Sequence, residues 1–213
     1  MSEPISRRKF LKTGCLTAAA VGLTLCGTGT LVATHQPEVN QPSTLFGETT
    51  MNNRVLVAYA TKAGSTAEIA THIGQVIAKR QVAVEVKPID QVTDLSAYRA
   101  VVLGSAIRMG TVLSSVTRLV ENNQASLKEK PFSAFVVCLT LKEDTAENQN
   151  VVNTYLDSVR ALAQPGSEGF FSGVLDLKKL SLLDRLMAKA MKAPSGDYRN
   201  WDQIDDWASQ VPL

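Results

Sequence analysis

The stretch VLVAYATKAGSTAEIA, from Val55 to Ala70, constrains the fold more than any other part of the chain. It opens on an apolar, Val-rich run with no polar alternation, the pattern of a strand buried on both faces. It breaks at six small or polar residues, Thr61 to Thr66. It then resumes with Ile69, Ile73, Val76 and Ile77 at helical spacing. A doubly buried strand that passes through a short loop into an amphipathic helix belongs to an α/β layer structure.

The pattern recurs along the chain. VAVEVKPI alternates as a strand, and RAVVLGSA reads as a second buried strand. VLSSVTRLVENNQASL has a helical period, PFSAFVVCLT is a strand, and ENQNVVNTYLDSVRALA is a helix. GFFSGVLDL reads as a last strand, followed by the helices LSLLDRLMAKAMK and WDQIDDWASQV. Alternating strands and helices predict a doubly wound parallel sheet with helices on both faces. In such sheets a ligand lies beyond the carboxyl ends of the strands. Three loops are expected there: Thr61–Thr66, Ser105–Gly110 and Thr140–Ala146.

The first loop carries the clearest chemistry. The hydroxyls of Thr61, Ser65 and Thr66 can donate hydrogen bonds, and Ala63 and Gly64 permit close approach of the backbone. The following helix start adds positive partial charge, so the loop suits an anion and above all a phosphate. It lacks the Gly-Lys-Ser/Thr ending of a nucleoside-triphosphate loop and the three-glycine pattern of a dinucleotide loop. One phosphate held mainly by neutral donors is the expectation.

The residues Tyr59, Thr61, Gly64, Thr66 and Ala70 stand at the spacing Y-x-T-x-x-G-x-T-x-x-x-A, which resembles the flavodoxin fingerprint. The resemblance implies a flavodoxin-like fold with five parallel strands in the order 2-1-3-4-5. It also implies FMN as cofactor. The phosphate would be held by Thr61, Lys62, Ala63, Gly64, Ser65 and Thr66. The ring would lie against Ser105, Ala106, Ile107, Arg108, Met109 and Gly110, with Thr140 and Leu141 from the third loop. Arg108 beside the ring would stabilise a reduced, anionic flavin; the alternative is a solvated arginine that contacts only the loop or the phosphate. Neither the second nor the third loop contains the Trp or Tyr with which electron-carrier flavodoxins sandwich the ring.

VVLGSAIRMG, GVLDLKKLSLLDRLMAKAMK and WDQIDDWA further resemble the menaquinone-dependent protoporphyrinogen IX dehydrogenase family over about residues 54–211. This resemblance implies an FMN enzyme that passes electrons to a quinone or a redox-protein partner. The segment after the last strand departs from the family in having few Tyr and Arg, which leaves the substrate open. The alternative is a flavodoxin-like electron carrier with no small-molecule substrate of its own. No residue stands out as a catalytic acid or base.

The chain ahead of Arg54 reads differently. SRRKFLK, Ser6 to Lys12, resembles the twin-arginine export signal, and an uncharged stretch follows over residues 13–33. The expectation is residues 1–33 as signal or membrane anchor, 34–53 as linker, and 54–213 as the FMN-binding domain. Export machinery, membrane association and a location beyond the cytoplasmic membrane follow from it. The net charge of +2 gives no footprint for nucleic acid. Two histidines and three cysteines with no CxxC give no metal site, and Cys138 reads as a buried, inert thiol. Leu182, Leu183, Leu186, Met187, Ala190 and Met191 form an apolar stripe, read as packing on the sheet, or else as resting on a membrane or guiding a quinone. Trp201 and Trp207 read as packing residues.

Overall fold

The computed structural model describes residues 39–48, 54–190 and 194–213. They fall into two compact units. One comprises Glu38–Lys179 and Pro194–Leu213, and the other contains Leu180–Ala193.

The first unit is built on β2 (Arg54–Ala60), in which six of seven residues are buried. Val55, Val57 and Tyr59 enter one core cluster, and Leu56, Ala58 and Ala60 enter the other. That alternation explains why the run carries no polar residue: both faces are covered. Loop 61–64 leads into α1 (Ser65–Ala78), which returns the chain to β3 (Ala83–Pro88). Next come β4 (Tyr98–Arg108), β5 (Thr111–Val112), α2 (Ser114–Asn122), α3 (Gln124–Lys128) and β6 (Phe132–Cys138). After α4 (Ala146–Asn153) and the short α5 (Asp157–Arg160) the chain forms β7 (Ser167–Ser172). The last helix is α7 (Trp201–Gln210).

Among the described residues the sheet has seven strands, not five. With Thr44–Phe46 as β1, its order is β1-β3-β2-β4-β6-β7, with β5 paired to β4. β3, β2, β4, β6 and β7 pair in parallel. The two additional strands make the sheet mixed. β1 (Thr44–Phe46) lies antiparallel on the outer edge of β3, and β5 folds back antiparallel on β4. β1 comes from the stretch expected to be linker. It covers an edge that would otherwise expose unpaired backbone groups.

α1 and α7 supply one core, where Ile69, Ile73 and Ile77 meet Ile204 and Ala208 over Val55, Val57 and Val102. Phe135, Phe171 and Trp207 form an aromatic trio there, with centroids 5.6–6.0 Å apart. On the other face Val116, Val120, Leu127 and Val159 pack over Leu56, Val101 and Val136.

Three other expectations change. The helix read over 112–127 breaks at Asn123, whose side-chain amide donates to the Leu119 carbonyl at 2.8 Å. The helix read over 147–163 is interrupted by a 3-10 turn at Thr154–Leu156. The last apolar run stops at Ser172. Its remainder, β8 (Val174–Leu175), pairs with β9 (Gly196–Asp197) in a separate two-stranded sheet.

In the second unit, α6 (Leu182–Ala190) begins at Ser181, whose hydroxyl accepts the Asp184 N–H at 3.1 Å. Leu182, Leu183 and Leu186 are 46%, 44% and 65% exposed. The expected anchoring, membrane association and export are corrected as well. Among the described residues no helix is long and apolar enough to cross a membrane. The twin-arginine stretch and residues 13–33 lie outside the described residues.

Candidate functional site

β2, β4 and β6 are neighbours in parallel register, so the segments that follow them emerge at one end of the sheet. Ala60 pairs with Ser105, and Ala106 with Val137. The first segment turns at Gly64, which holds φ 95°, a conformation that favours glycine. Gly64 N–H donates to Thr61 Oγ1 at 3.0 Å, and its carbonyl accepts from Ala67 and Glu68 at 3.0 and 3.2 Å. Thr61 keeps its hydroxyl proton for another acceptor.

Gly64 is the N-cap of α1 and offers no side-chain cap. The N–H groups of the helix's first residues, Ser65 and Thr66, lie at an end that the helix itself does not satisfy. Thr66 is fully buried, and its Oγ1 has no hydrogen-bond partner among the described residues. A buried hydroxyl without a partner costs about 1–3 kcal/mol. Here it stands one residue into a helix whose N-terminus favours negative charge. A bound oxyanion would complete both sets of donors.

A cavity of about 440 Å³ adjoins this turn, lined by Val39, Pro42, Gly64, Glu68, Thr71 and Lys179. Lys179 Nζ lies 3.9 Å from Glu68 Oε1. The chain ahead of β1 is tied down here, because Tyr59 Oη donates to the Pro42 carbonyl at 2.8 Å. Burial pushes the Tyr59 phenol up to about 12, so it is neutral and a donor at ordinary pH.

The second segment is a hairpin, not a loop. β4 continues through Ser105, Ala106, Ile107 and Arg108, and the chain reverses at Met109 and Gly110 into β5. Both turn residues have positive φ, 52° and 77°, as a two-residue hairpin turn requires. Ser105 is buried, and its hydroxyl donates to the Ala106 carbonyl at 2.8 Å and accepts the Leu113 N–H at 2.9 Å. That side chain braces the hairpin. Ala106 and Ile107 are half-buried, and Arg108, Met109 and Gly110 are exposed. Lys62, Arg108 and Met109 line a second cavity together with Arg118. Lys62, from the loop after β2, therefore groups with the hairpin.

Thr140 and Leu141 lie in a 3-10 turn after β6. Thr140 Oγ1 is hydrogen-bonded to Tyr155 Oη at 2.9 Å, and Leu141 packs against the cluster of Cys138, Val152 and Tyr155. Tyr155 Cε1 also lies 3.9 Å from where a Cβ on Gly110 would stand. Tyr155 thus joins the second and third segments, a position that sequence reasoning missed. It lies in the 3-10 break of the expected helix, and nothing in NTYLDSV marks that break. Burial pushes the Cys138 thiol pKa up, which keeps it protonated and unreactive. Trp207 packs with Phe135 and Phe171, and Trp201 stands against His72 and Arg199.

Residues 56–202 match the family described as Flavodoxin domain. The chain is 21% identical over 172 residues to the protoporphyrinogen IX dehydrogenase (quinone) of Escherichia coli (strain K12). That match covers 74% of this chain and 94% of that protein. It is 28% identical over 170 residues to the protein of the same name in Leishmania major, over 73% of this chain and 71% of that one. Among solved structures, two-electron reduced Megasphaera elsdenii flavodoxin is similar at 14% identity and a TM-score of 0.46, over 73% of this chain and 98% of that one.

Proposed function

The chain belongs to the flavodoxin-domain family, and from that premise we propose that it is an FMN-dependent oxidoreductase that passes electrons to a quinone or another acceptor. The observation that carries the reading is the Thr66 hydroxyl, fully buried and without a partner among the described residues, beside a helix start with no side-chain cap. The donor set there is neutral, as a single phosphate monoester needs when the helix end supplies the positive potential. Thr61, Ala63, Gly64, Ser65 and Thr66 would hold that phosphate, with Lys62 at the margin. Ala106 to Gly110, with Thr140 and Leu141, would border the ring. Ser105 and Tyr155 act one step behind by fixing the hairpin and the Thr140 turn. FMN, when bound, supplies one- and two-electron transfer, and the chain supplies position and shielding.

The names of the curated relatives make protoporphyrinogen the first electron donor to try and a quinone the first acceptor. The test uses the full chain. A fragment starting at Arg54 would lack β1 and the Pro42 carbonyl that receives Tyr59. Purified protein, reconstituted with FMN, is expected to show bound-flavin absorbance and then to oxidise protoporphyrinogen with a quinone present. Flavin absorbance without turnover leaves the cofactor in place and refutes this donor. No flavin binding after reconstitution refutes the whole reading.

A further inference from the structure

The segment around β1 reaches the same end of the sheet as the turn at Gly64. β3 runs parallel to β2, with Pro88 opposite Tyr59 near their carboxyl ends. β1 runs antiparallel to β3, with Thr44 opposite Val86 and Phe46 opposite Val84. Residues 39–43, which precede Thr44, therefore extend toward the end where β2 delivers the turn. The family match begins at residue 56, so this segment stands outside the matched residues.

Three contacts fasten it around the turn. Val39 Cγ1 stands 3.1 Å from where a Cβ on Gly64 would be, so Val39 covers the turn at its glycine. The Pro42 carbonyl accepts from Tyr59 Oη at 2.8 Å, on the strand that leads into the turn. The Phe46 ring lies 3.3 Å from where a Cβ on Gly74 would stand, on the helix that leaves it. The segment thus touches the strand before the turn, the turn itself and the helix after it. A glycine is costly to hold in one conformation, and no side chain caps α1. An outside contact that removes this freedom lowers the cost of binding a ligand there.

We propose that residues 39–46 form a strap that clamps the Gly64 turn in the shape that receives the FMN phosphate, with Val39 and Tyr59 as its positioning residues. The phosphate role rests on the function proposed above; the clamping of the turn does not. Val39 acts through Gly64, and Tyr59 holds the strap in place through the Pro42 carbonyl. By linkage, a bound phosphate and a docked strap stabilise each other.

The test scores the clamp and its purpose separately, on the full chain. Hydrogen exchange of the ligand-free protein reads the clamp. Val39→Ala should speed exchange at Gly64, Ala67 and Glu68, whose N–H groups close the turn, about fivefold. Val39→Ile, which keeps the contact, should not. Equilibrium dialysis against FMN and against riboflavin, the same flavin without its phosphate, reads the purpose. Val39→Ala and Tyr59→Phe should each raise the FMN dissociation constant about fivefold and leave that of riboflavin unchanged. A general loss of structure would weaken both flavins alike. Equal losses for the two flavins, or unchanged exchange at the turn in Val39→Ala, overturn the proposal. Wild-type protein that binds neither flavin refutes the FMN reading and the strap's phosphate role together, whereas equal losses from a wild type that binds FMN refute the strap alone.

Discussion

Replacing Thr66 with valine tests the phosphate site through two measurements of opposite sign. The two side chains share shape and β-branching, so packing and helix propensity barely change. What goes is one hydroxyl, which is fully buried and has no partner among the described residues. In the ligand-free protein that hydroxyl carries a desolvation cost of about 1–3 kcal/mol. Thr66→Val should therefore leave apo stability unchanged or raise it, by about 1 kcal/mol or more. If the same hydroxyl donates to the FMN phosphate, its loss removes a hydrogen bond to a charged group, about 1.5–3 kcal/mol. The FMN dissociation constant should then rise about 10- to 150-fold. Thr66→Ser is the converse control. It keeps the hydroxyl and affinity, but loses a buried methyl and about 1 kcal/mol of stability. Urea unfolding followed by tryptophan fluorescence reads the first quantity, and equilibrium dialysis with FMN reads the second. An apo protein destabilised by Thr66→Val, with FMN affinity unchanged, would refute the argument: the hydroxyl would then have an internal role, and the phosphate would lie elsewhere.

Two further outcomes follow from the core and the edge. A Cβ on Gly104 would stand 2.1 Å from Phe135 Cζ, on the residue that pairs with it across β4 and β6, and Phe171 and Trp207 pack against that ring. Gly104→Ala should destabilise by about 1–3 kcal/mol despite the gain in backbone entropy, and Phe135→Leu should recover part of the loss in the double variant; simple additivity in urea midpoints counts against it. Tyr59→Phe removes the hydrogen bond to Pro42 and should cost about 1 kcal/mol at neutral pH. The folded phenol titrates at about 12, above its ordinary value of about 10, so its contribution is complete below pH 10 and is lost as pH rises toward 12. The stability gap between wild type and Tyr59→Phe should close over that window, and parallel pH profiles would contradict the assignment.

Much of the sheet is legible in the sequence because its central strands are buried on both faces. Val55–Ala60 and Val101–Ser105 read as continuous runs for the same reason that they sit in the middle. β1 has no such signature. It has three residues, its Leu45 is 49% exposed, and its pairing with β3 spans some forty residues of chain. A short edge strand is specified by its partner more than by its own pattern. The hairpin at Met109–Gly110 escapes for a related reason. Its second turn residue is the expected glycine, but its first is a methionine that no turn rule selects. The turn after β2 is the opposite case: Gly64 and Thr61 are joined within three residues, so local spacing was enough to mark a strand-turn-helix there. Tyr155 and Arg118 reach the rim only through tertiary packing.

Lys62 connects the local and tertiary parts of the site. It is the one charged residue in a loop of otherwise neutral donors, and it lines the cleft with Arg108 and Arg118. A phosphate at the start of α1 is then left to backbone N–H groups and hydroxyls, where geometry selects more than charge does. The cations line the hairpin side instead, so the proposed phosphate site would depend little on side-chain charge. FMN titration of Lys62→Gln would measure that separation directly: an FMN dissociation constant changed by less than about twofold supports it, and a rise of about tenfold or more would put the lysine on the phosphate.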